Sequence, residues 1–373
     1  MKRQSKAVNP LDAVLDSTVK AVQGKFGKDS MARLNNSNDL AIIKSHTSFG
    51  HWGLDKITGG GAPSGRLIEI YGANSVGKSF LVDALLANCQ MHGGIAALDD
   101  MENAYDRFFG EIAGVDNDRL LYTRSETVED YWDKAEFTLS NIFKADPTAY
   151  VVYVGDSIAQ VPSKEEKNTD VDDIGGYRTE KATAITVGAR KMTSLIGKYN
   201  VAFVVVNQLK HKIGVMFGSD EYTTGGDALG FWASIRLRLS IIEMLRAAST
   251  GDEEEETKPE EEAKAKGKKG GAPKPKKDDP IIGVRGKAQA KKNKIVKPFQ
   301  ETTFDLYFDR GLDYTSGCFD LLRGEGIIKP GCNKEGETTS GWYLYEGANF
   351  RRKELEQYFR ENPEKLGQYT NLR

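Results

Sequence analysis

A chain of 373 residues is longer than a single hydrophobic core of roughly 250 to 300 residues encloses, so one main domain with smaller appendages is expected. Lysine and arginine number 52 against 54 acids, a net charge of −2 that excludes a globally basic nucleic-acid binder and leaves any DNA site to local clustering. Cys89, Cys318, Cys332 and the four histidines fall in no disulfide or zinc spacing. The polar start and the lack of an apolar run of about 18 residues then point to a reducing, cytoplasmic setting away from membranes.

Pro10 stands at a helix start, and Leu11, Val14, Leu15, Val19, Val22 and Phe26 follow at helical spacings, which predicts an amphipathic helix. Such a helix either packs on its own domain or forms an arm that docks on a neighbouring subunit, tethered by the polar stretch Asn35 to Asp39. We assign residues 1–38 to a polymerisation arm. From Leu67 to Phe308 short apolar runs alternate with helical stretches: Leu67 to Tyr71, Ile95 to Leu98, Tyr150 to Val154, Val201 to Val206, Ile235 to Ile241 and Phe304 to Phe308. Near-continuous Val/Ile/Leu runs of this kind predict an α/β core with a mostly parallel central sheet covered on both faces, over residues 39–310.

Within that core, Gly251 to Pro280 loses almost all large apolar residues. Acids dominate from Asp252 to Glu262 and lysines from Lys264 to Lys277, the pattern of a disordered charged insertion at 251–280. Order is expected to resume at Ile281. Residues 311–373, with Gly341, Trp342, Tyr343 and Tyr345 and a helical stretch from Arg351 to Asn362, predict a small C-terminal α+β domain.

The chemistry is concentrated after the first run. Gly72-Ala73-Asn74-Ser75-Val76-Gly77-Lys78-Ser79 fits the phosphate-loop pattern G-x-x-x-x-G-K-[ST], directly after a strand and before the helical run Phe80 to Ala87. Such a loop turns consecutive N–H groups and a helix N-terminus toward the phosphates of ATP, with Lys78 on the β/γ oxygens and the Ser79 hydroxyl on Mg²⁺. The next two runs end in Asp99-Asp100-Met101-Glu102 and Gly155-Asp156-Ser157. Ligands of open parallel sheets bind beyond the carboxyl ends of strands, so both clusters are expected to face the loop. Asp156 is assigned to the water ligands of Mg²⁺ and Glu102 to the attacking water. Taken singly, each acid is also explained as a cap or turn former. Asn207-Gln208 ends the fourth run, with amides placed to sense a γ-phosphate.

These residues resemble one family closely, the bacterial RecA recombinases and their phage relatives. Gly65 to Gly72 is similar to the family's first strand and phosphate loop. Lys212-Ile213-Gly214-Val215-Met216-Phe217-Gly218, followed by Thr223-Thr224-Gly225-Gly226 and Ala228-Leu229, is similar to its second DNA-binding loop, and Lys292-Asn293-Lys294-Ile295, Pro298-Phe299 and Phe26-Gly27-Lys28 also match. The resemblance runs from Leu11 to about Asn362 and implies a phosphate-loop ATPase core of RecA type. It implies that Asp106 and Phe109 frame the adenine, that Glu102 is the hydrolytic glutamate, and that Gln208 relays the γ-phosphate to loop two. It also implies that Lys292 and Lys294 reach the ATP of the adjacent subunit. Phe231 resembles the aromatic that links neighbouring subunits, or is a plain core phenylalanine.

For DNA, Lys210, His211 and Lys212 are cationic, Ile213 is an apolar wedge, and Thr224, Gly225 and Gly226 present backbone to phosphate. Arg190 matches a family phosphate contact. Loop one, between Lys164 and Gly176, departs from the pattern: Glu165, Glu166, Asp170, Asp172 and Asp173 make it acidic, and Thr183 stands where an arginine is expected. Family members often end in an acidic tail that tempers DNA access, and this chain ends at Arg373 without one. The block Asp252 to Glu262 either takes over that role or is a solvated spacer.

The expected function is therefore an ATP-dependent recombinase that forms a helical homopolymer on single-stranded DNA and pairs it with homologous duplex. Loader and single-strand-binding proteins are further candidate partners. Two other readings remain at this level: an ATP-gated scaffold that coats single strands without exchanging them, and a hexameric helicase of the same core fold.

Overall fold

The computed structural model describes residues 10–28, 30–33, 43–169, 178–211, 220–247, 279–333, 336 and 338–369. The charged insertion as far as residue 278, residues 170–176 of loop one, and Lys212 to Gly218 of loop two, with Lys212 and Ile213 among them, lie outside these residues.

The first helix, α1 (Pro10–Phe26), carries the expected apolar positions, but Leu11, Val14, Leu15 and Phe26 are exposed and none belongs to a buried cluster among the described residues. Val19 and Val22 of the same stripe are half-buried. Arg33 folds the following segment back through ion pairs to Asp12 (2.6 Å) and Asp16 (3.1 Å).

A short pair, β1 (His46–Thr47) and β2 (Ala62–Pro63), flanks α2 (Trp52–Thr58). The core then runs β3 (Arg66–Gly72), α3 (Lys78–Met91), β4 (Ile95–Asp100), α4 (Arg107–Ala113), β5 (Leu121–Thr123), α5 (Val128–Ala145), β6 (Val151–Asp156), α6 (Lys164–Lys167), α7 (Arg178–Ile196) and β7 (Val201–His211). It continues with β8 (Glu221–Thr223), α8 (Ala228–Trp232), β9 (Ile235–Arg246), β10 (Ile281–Asn293), β11 (Glu301–Tyr307) and β12 (Gly311–Leu312). The sheet order is β12-β11-β10-β9-β3-β7-β6-β4-β5, parallel from β9 to β5 and antiparallel from β9 to β12.

The six expected apolar runs each fall within or across the start or end of a strand of this sheet. Because side chains alternate along a strand, Ile68 and Ile70 enter a core with Leu81, Leu85 and Val204, while Leu67 faces the opposite core with Trp132, Tyr153 and Phe203. Both faces are thus covered, which is why the runs read as continuous rather than alternating. The strand β10 was not anticipated, since its alternating Val284, Gly286, Ala288 and Ala290 are small and mostly buried, a weak apolar signal. Its pairing with β9 closes on a bond from Ala247 N–H to the Pro280 carbonyl (3.0 Å), so the chain leaves and re-enters the ladder at one point.

The last elements are α9 (Cys318–Gly324), β13 (Lys329–Cys332), β14 (Thr338–Tyr345), β15 (Ala348–Arg351) and α10 (Arg352–Glu361), with an antiparallel sheet β13-β14-β15. Their own core of Phe319, Leu322, Tyr345, Leu355 and Phe359 also takes in Trp52 from α2. The Trp52 indole donates to the Leu366 carbonyl (2.9 Å), and Lys56 pairs with Glu325 (3.1 Å). No helix among the described residues is long and apolar enough to cross a membrane.

Candidate nucleotide-binding site

The strand β3 ends at Gly72, and α3 begins six residues later at Lys78. Between them the chain turns with Ser75 at φ 60° and Gly77 at φ 86°, left-handed values that favour glycine at the second position. Space demands glycine as well: a Cβ on Gly72 would lie 2.5 Å from the Leu239 carbonyl oxygen, and one on Gly77 would lie 2.9 Å from Leu306. The loop Gly72-Ala73-Asn74-Ser75-Val76-Gly77 thus caps a 14-residue helix whose N-terminal N–H groups are unpaired by side chains, the arrangement that holds phosphate. The Lys78 ammonium bends back to donate to the Ala73 carbonyl (2.7 Å). Burial pulls its pKa down, and Asp156 and Glu102 act in the opposite sense.

The expected acids converge here. Burial pushes the Asp156 carboxyl up to about 6, opposed by a hydrogen bond with the Ser79 side chain. Glu102 accepts from the Ser157 hydroxyl (2.6 Å), from the Gln160 amide (3.4 Å) and from the Gln208 amide (3.4 Å). Asp106 caps α4, accepting from the N–H groups of Phe108 (2.7 Å) and Phe109 (3.2 Å). One cavity of about 250 Å³ gathers Ser79, Glu102, Asp106, Phe109, Asp156 and Phe308 in its lining. The same lining holds Asp83 and Asp100, so among the described residues its wall carries several carboxylates and no lysine or arginine.

Asp83 was not singled out from sequence, although its position four residues after Ser79 sets it on the same face of α3. Burial, reinforced by Asp156 and Asp100, pushes its carboxyl up to about 7. The folded chain therefore favours the protonated form, and this stabilisation, full below the ordinary value of 3.8, is lost as pH rises toward 7. Asp83→Asn removes the charge, so the nucleotide-free variant is expected to be more stable than the parent at pH 8, by on the order of 2 kcal/mol, with the gap closing near pH 4. Thermal unfolding across that range checks it; parallel curves would show that Asp83 ionises without penalty.

One sequence expectation needs correction. Asn207 does not face a phosphate: its fully buried amide donates to Glu69 (3.0 Å) and to the Thr224 carbonyl (3.0 Å), and its oxygen accepts from the Gln208 N–H (2.8 Å). Only the Gln208 side chain turns toward Glu102.

Beyond Gln208 the strand β7 runs into the second loop. Lys210 and His211 are exposed on it, and His211 meets Asp220 (2.8 Å) across the loop's base. Arg190 is exposed on α7. Gly225 (φ 86°) and Gly226 (φ 63°) turn the chain into α8, and a Cβ on Gly225 would strike Ile185 of α7 at 2.5 Å. Thr224 is buried. Phe231 is 70% exposed, so it is not a core phenylalanine. Lys292 donates to the carbonyls of Gly230 (2.7 Å) and Phe231 (2.9 Å), the open end of α8, while Lys294 is exposed.

Comparison with known proteins agrees with this architecture. A family model described as the RecA N-terminal domain matches residues 13–269. The chain is 32% identical to Protein RecA of Trichodesmium erythraeum over 90% of its length and 80% of the relative's. It is also 32% identical to Protein RecA of Paracoccus denitrificans (94% and 86% covered) and of Cereibacter sphaeroides (95% and 90% covered). A family match over more than half the sequence, joined to identity of this order across nearly all of it, shows that the chain belongs to the RecA family.

Proposed function

We propose that the chain is an ATP-dependent recombinase that polymerises on single-stranded DNA and catalyses homologous pairing and strand exchange with DNA-dependent ATP hydrolysis. The observation that carries this reading is the bond from Gln208 to Glu102, because it joins the hydrolytic carboxylate to the strand that runs directly into the DNA-binding loop.

Phosphates of ATP lie on the loop from Gly72 to Ser79, with the base beside Asp106 and Phe109. Ser79 and Asp156 suit Mg²⁺, which keeps several waters and takes few protein ligands when it arrives with a nucleotide; a hydroxyl and a carboxylate lining one cavity are such a donor set. Held there, the ion would offset phosphate charge. Glu102 holds and deprotonates the attacking water, and Ser157 keeps its carboxylate oriented. When a γ-phosphate draws Gln208 away from Glu102, the carboxylate is freed and the strand into loop two shifts. DNA is then held by Arg190, Lys210, Lys212, Ile213, Thr224, Gly225 and Gly226.

Three features support a polymer. Within the proposed arm α1 exposes apolar residues, Phe231 presents an uncovered ring, and the carboxylate-lined cavity has no lysine or arginine among the described residues of its wall, a deficit that Lys292 and Lys294 of a neighbour would fill beside Lys78. The core of residues 39–310 carries the ATPase, and residues 311–373 form the accessory unit. Homologous duplex DNA is the second substrate, and loader and single-strand-binding proteins are candidate partners in the cytoplasm.

Imaging on single-stranded DNA with a non-hydrolysable ATP analogue is expected to show helical filaments, and an assay with homologous duplex to show exchanged strands. Closed rings would indicate a helicase. Filaments without exchange would leave only a coating scaffold.

A further inference from the structure

Glu69 lies in the middle of β3 and is fully buried, an expensive place for a carboxylate. The strand β3 runs between β7 and β9, and the register sets Glu69 beside Arg236 on β9 and Tyr71 beside Asn207 on β7. Glu69 accepts from Arg236 Nε (2.5 Å) and from the Asn207 amide (3.0 Å). Arg236 stacks 4.8 Å from the Tyr71 ring centre and reaches the Thr223 hydroxyl (3.4 Å). It also lies under Gly230 of α8, where an added Cβ would come within 3.1 Å of its guanidinium.

One carboxylate therefore anchors groups that belong to different parts of the reading above. Asn207, held by Glu69, binds both the N–H of the sensor Gln208 and the carbonyl of Thr224, where loop two ends. Arg236, held by the same carboxylate, contacts Thr223 and supports α8, which presents Phe231. Knitting β3 to β9 needs only the arginine. The second arm, through Asn207 to Thr224, adds nothing to the β3–β9 ladder and gives a bonded route from the sensor to the loop.

We propose that Glu69, acting with Arg236, is a positioning residue that couples nucleotide state at Gln208 to the root of the DNA-binding loop; the proposal rests on the recombinase reading. A pull on Gln208 is passed to the Asn207 amide. Because Glu69 fixes the far side of that amide, the motion turns it as a lever and moves Thr224 rather than dissipating in side-chain rotation.

Glu69→Gln tests this with little change of shape. Its amide offers one acceptor where Asn207 and Arg236 need two, so one arm is lost. Arg236→Lys keeps the charge opposite Glu69 but loses the fork that reaches Thr223 and Gly230, and serves where the first variant does not fold. Each is measured below its thermal midpoint. DNA-free ATP turnover is expected to stay within about threefold of the parent, while the ratio of DNA-stimulated to DNA-free turnover falls about tenfold or more. The rise in single-strand affinity caused by an ATP analogue should shrink in parallel. A folded variant of either kind with the parent's ratio overturns the coupling, because a purely structural ion pair would lower the melting point without moving that ratio. A parent protein with no DNA stimulation overturns the recombinase reading and the coupling with it.

Discussion

Replacing Lys292 and Lys294 together by alanine is expected to lower DNA-stimulated ATP turnover by ~10³-fold or more, the scale set by cations supplied in trans to phosphoryl transfer. The argument begins with charge. The cavity beside the phosphate loop is lined by Asp83, Asp100, Glu102, Asp106 and Asp156, and Lys78 is the cation at its edge. A nucleotide triphosphate brings further negative charge, so on the proposed reading a lone subunit, with Lys78 alone, is expected to bind it but to stabilise poorly the charge that builds on the leaving oxygens. Within its own subunit Lys292 is occupied with the end of α8 and Lys294 is exposed, on the side that carries the uncovered Phe231. Nucleotide affinity of the isolated subunit should change little. Mixing the double variant with Lys78→Ala sharpens the readout: a boundary with an intact phosphate loop on one side and intact lysines on the other is complete. Activity should return in the mixture although neither protein works alone. Confirmed subunit exchange with no recovery at any ratio would confine the lysines to their own subunit.

Glu102→Gln should keep nucleotide binding and lose turnover by about 10²- to 10⁴-fold, the usual contribution of a positioned general base. The substitution preserves shape and still accepts from Ser157, but an amide takes no proton from water. Lys78→Ala, in contrast, should abolish productive binding, since it removes the cation from the phosphate cradle. The two are separated by measuring binding of a fluorescent ATP analogue beside steady-state turnover. Undiminished turnover in the glutamine variant would remove Glu102 from the chemistry.

How far such roles can be read without coordinates depends on whether the signal is local. The phosphate loop was legible because glycine spacing, strand and helix succeed one another within a few residues. The placement of Glu102 and Asp156 on one cavity was legible because each lies at or just beyond the end of an apolar run in a parallel sheet, which fixes the edge they share. Phe231 was ambiguous, as an isolated aromatic carries no mark of its exposure. Asn207 was misassigned for a related reason: adjacent amides on a strand point to opposite faces, and nothing local told which faced the nucleotide. Glu69 was read only as part of a matched strand, since its meaning lies in β7 and β9, more than a hundred residues away in sequence. Asp83 carried a usable signal, the four-residue step from Ser79, that was not used. The exposed face of α1 needed the fold, because periodicity shows that a stripe exists and not whether anything covers it.

The boundary drawn at residue 311 from composition divides what the side chains join. Trp52 is 1% exposed because Phe319, Tyr345 and Leu366 surround it, and Lys56 beside it reaches both Glu325 and the Tyr369 carbonyl. Removing the last sixty or so residues would leave a bare indole and an unpaired ammonium on the helix that packs against β10 and β11. The two parts are therefore expected to share their cooperativity: the terminal unit should melt with the helix it covers, and its loss should destabilise the sheet on which that helix packs.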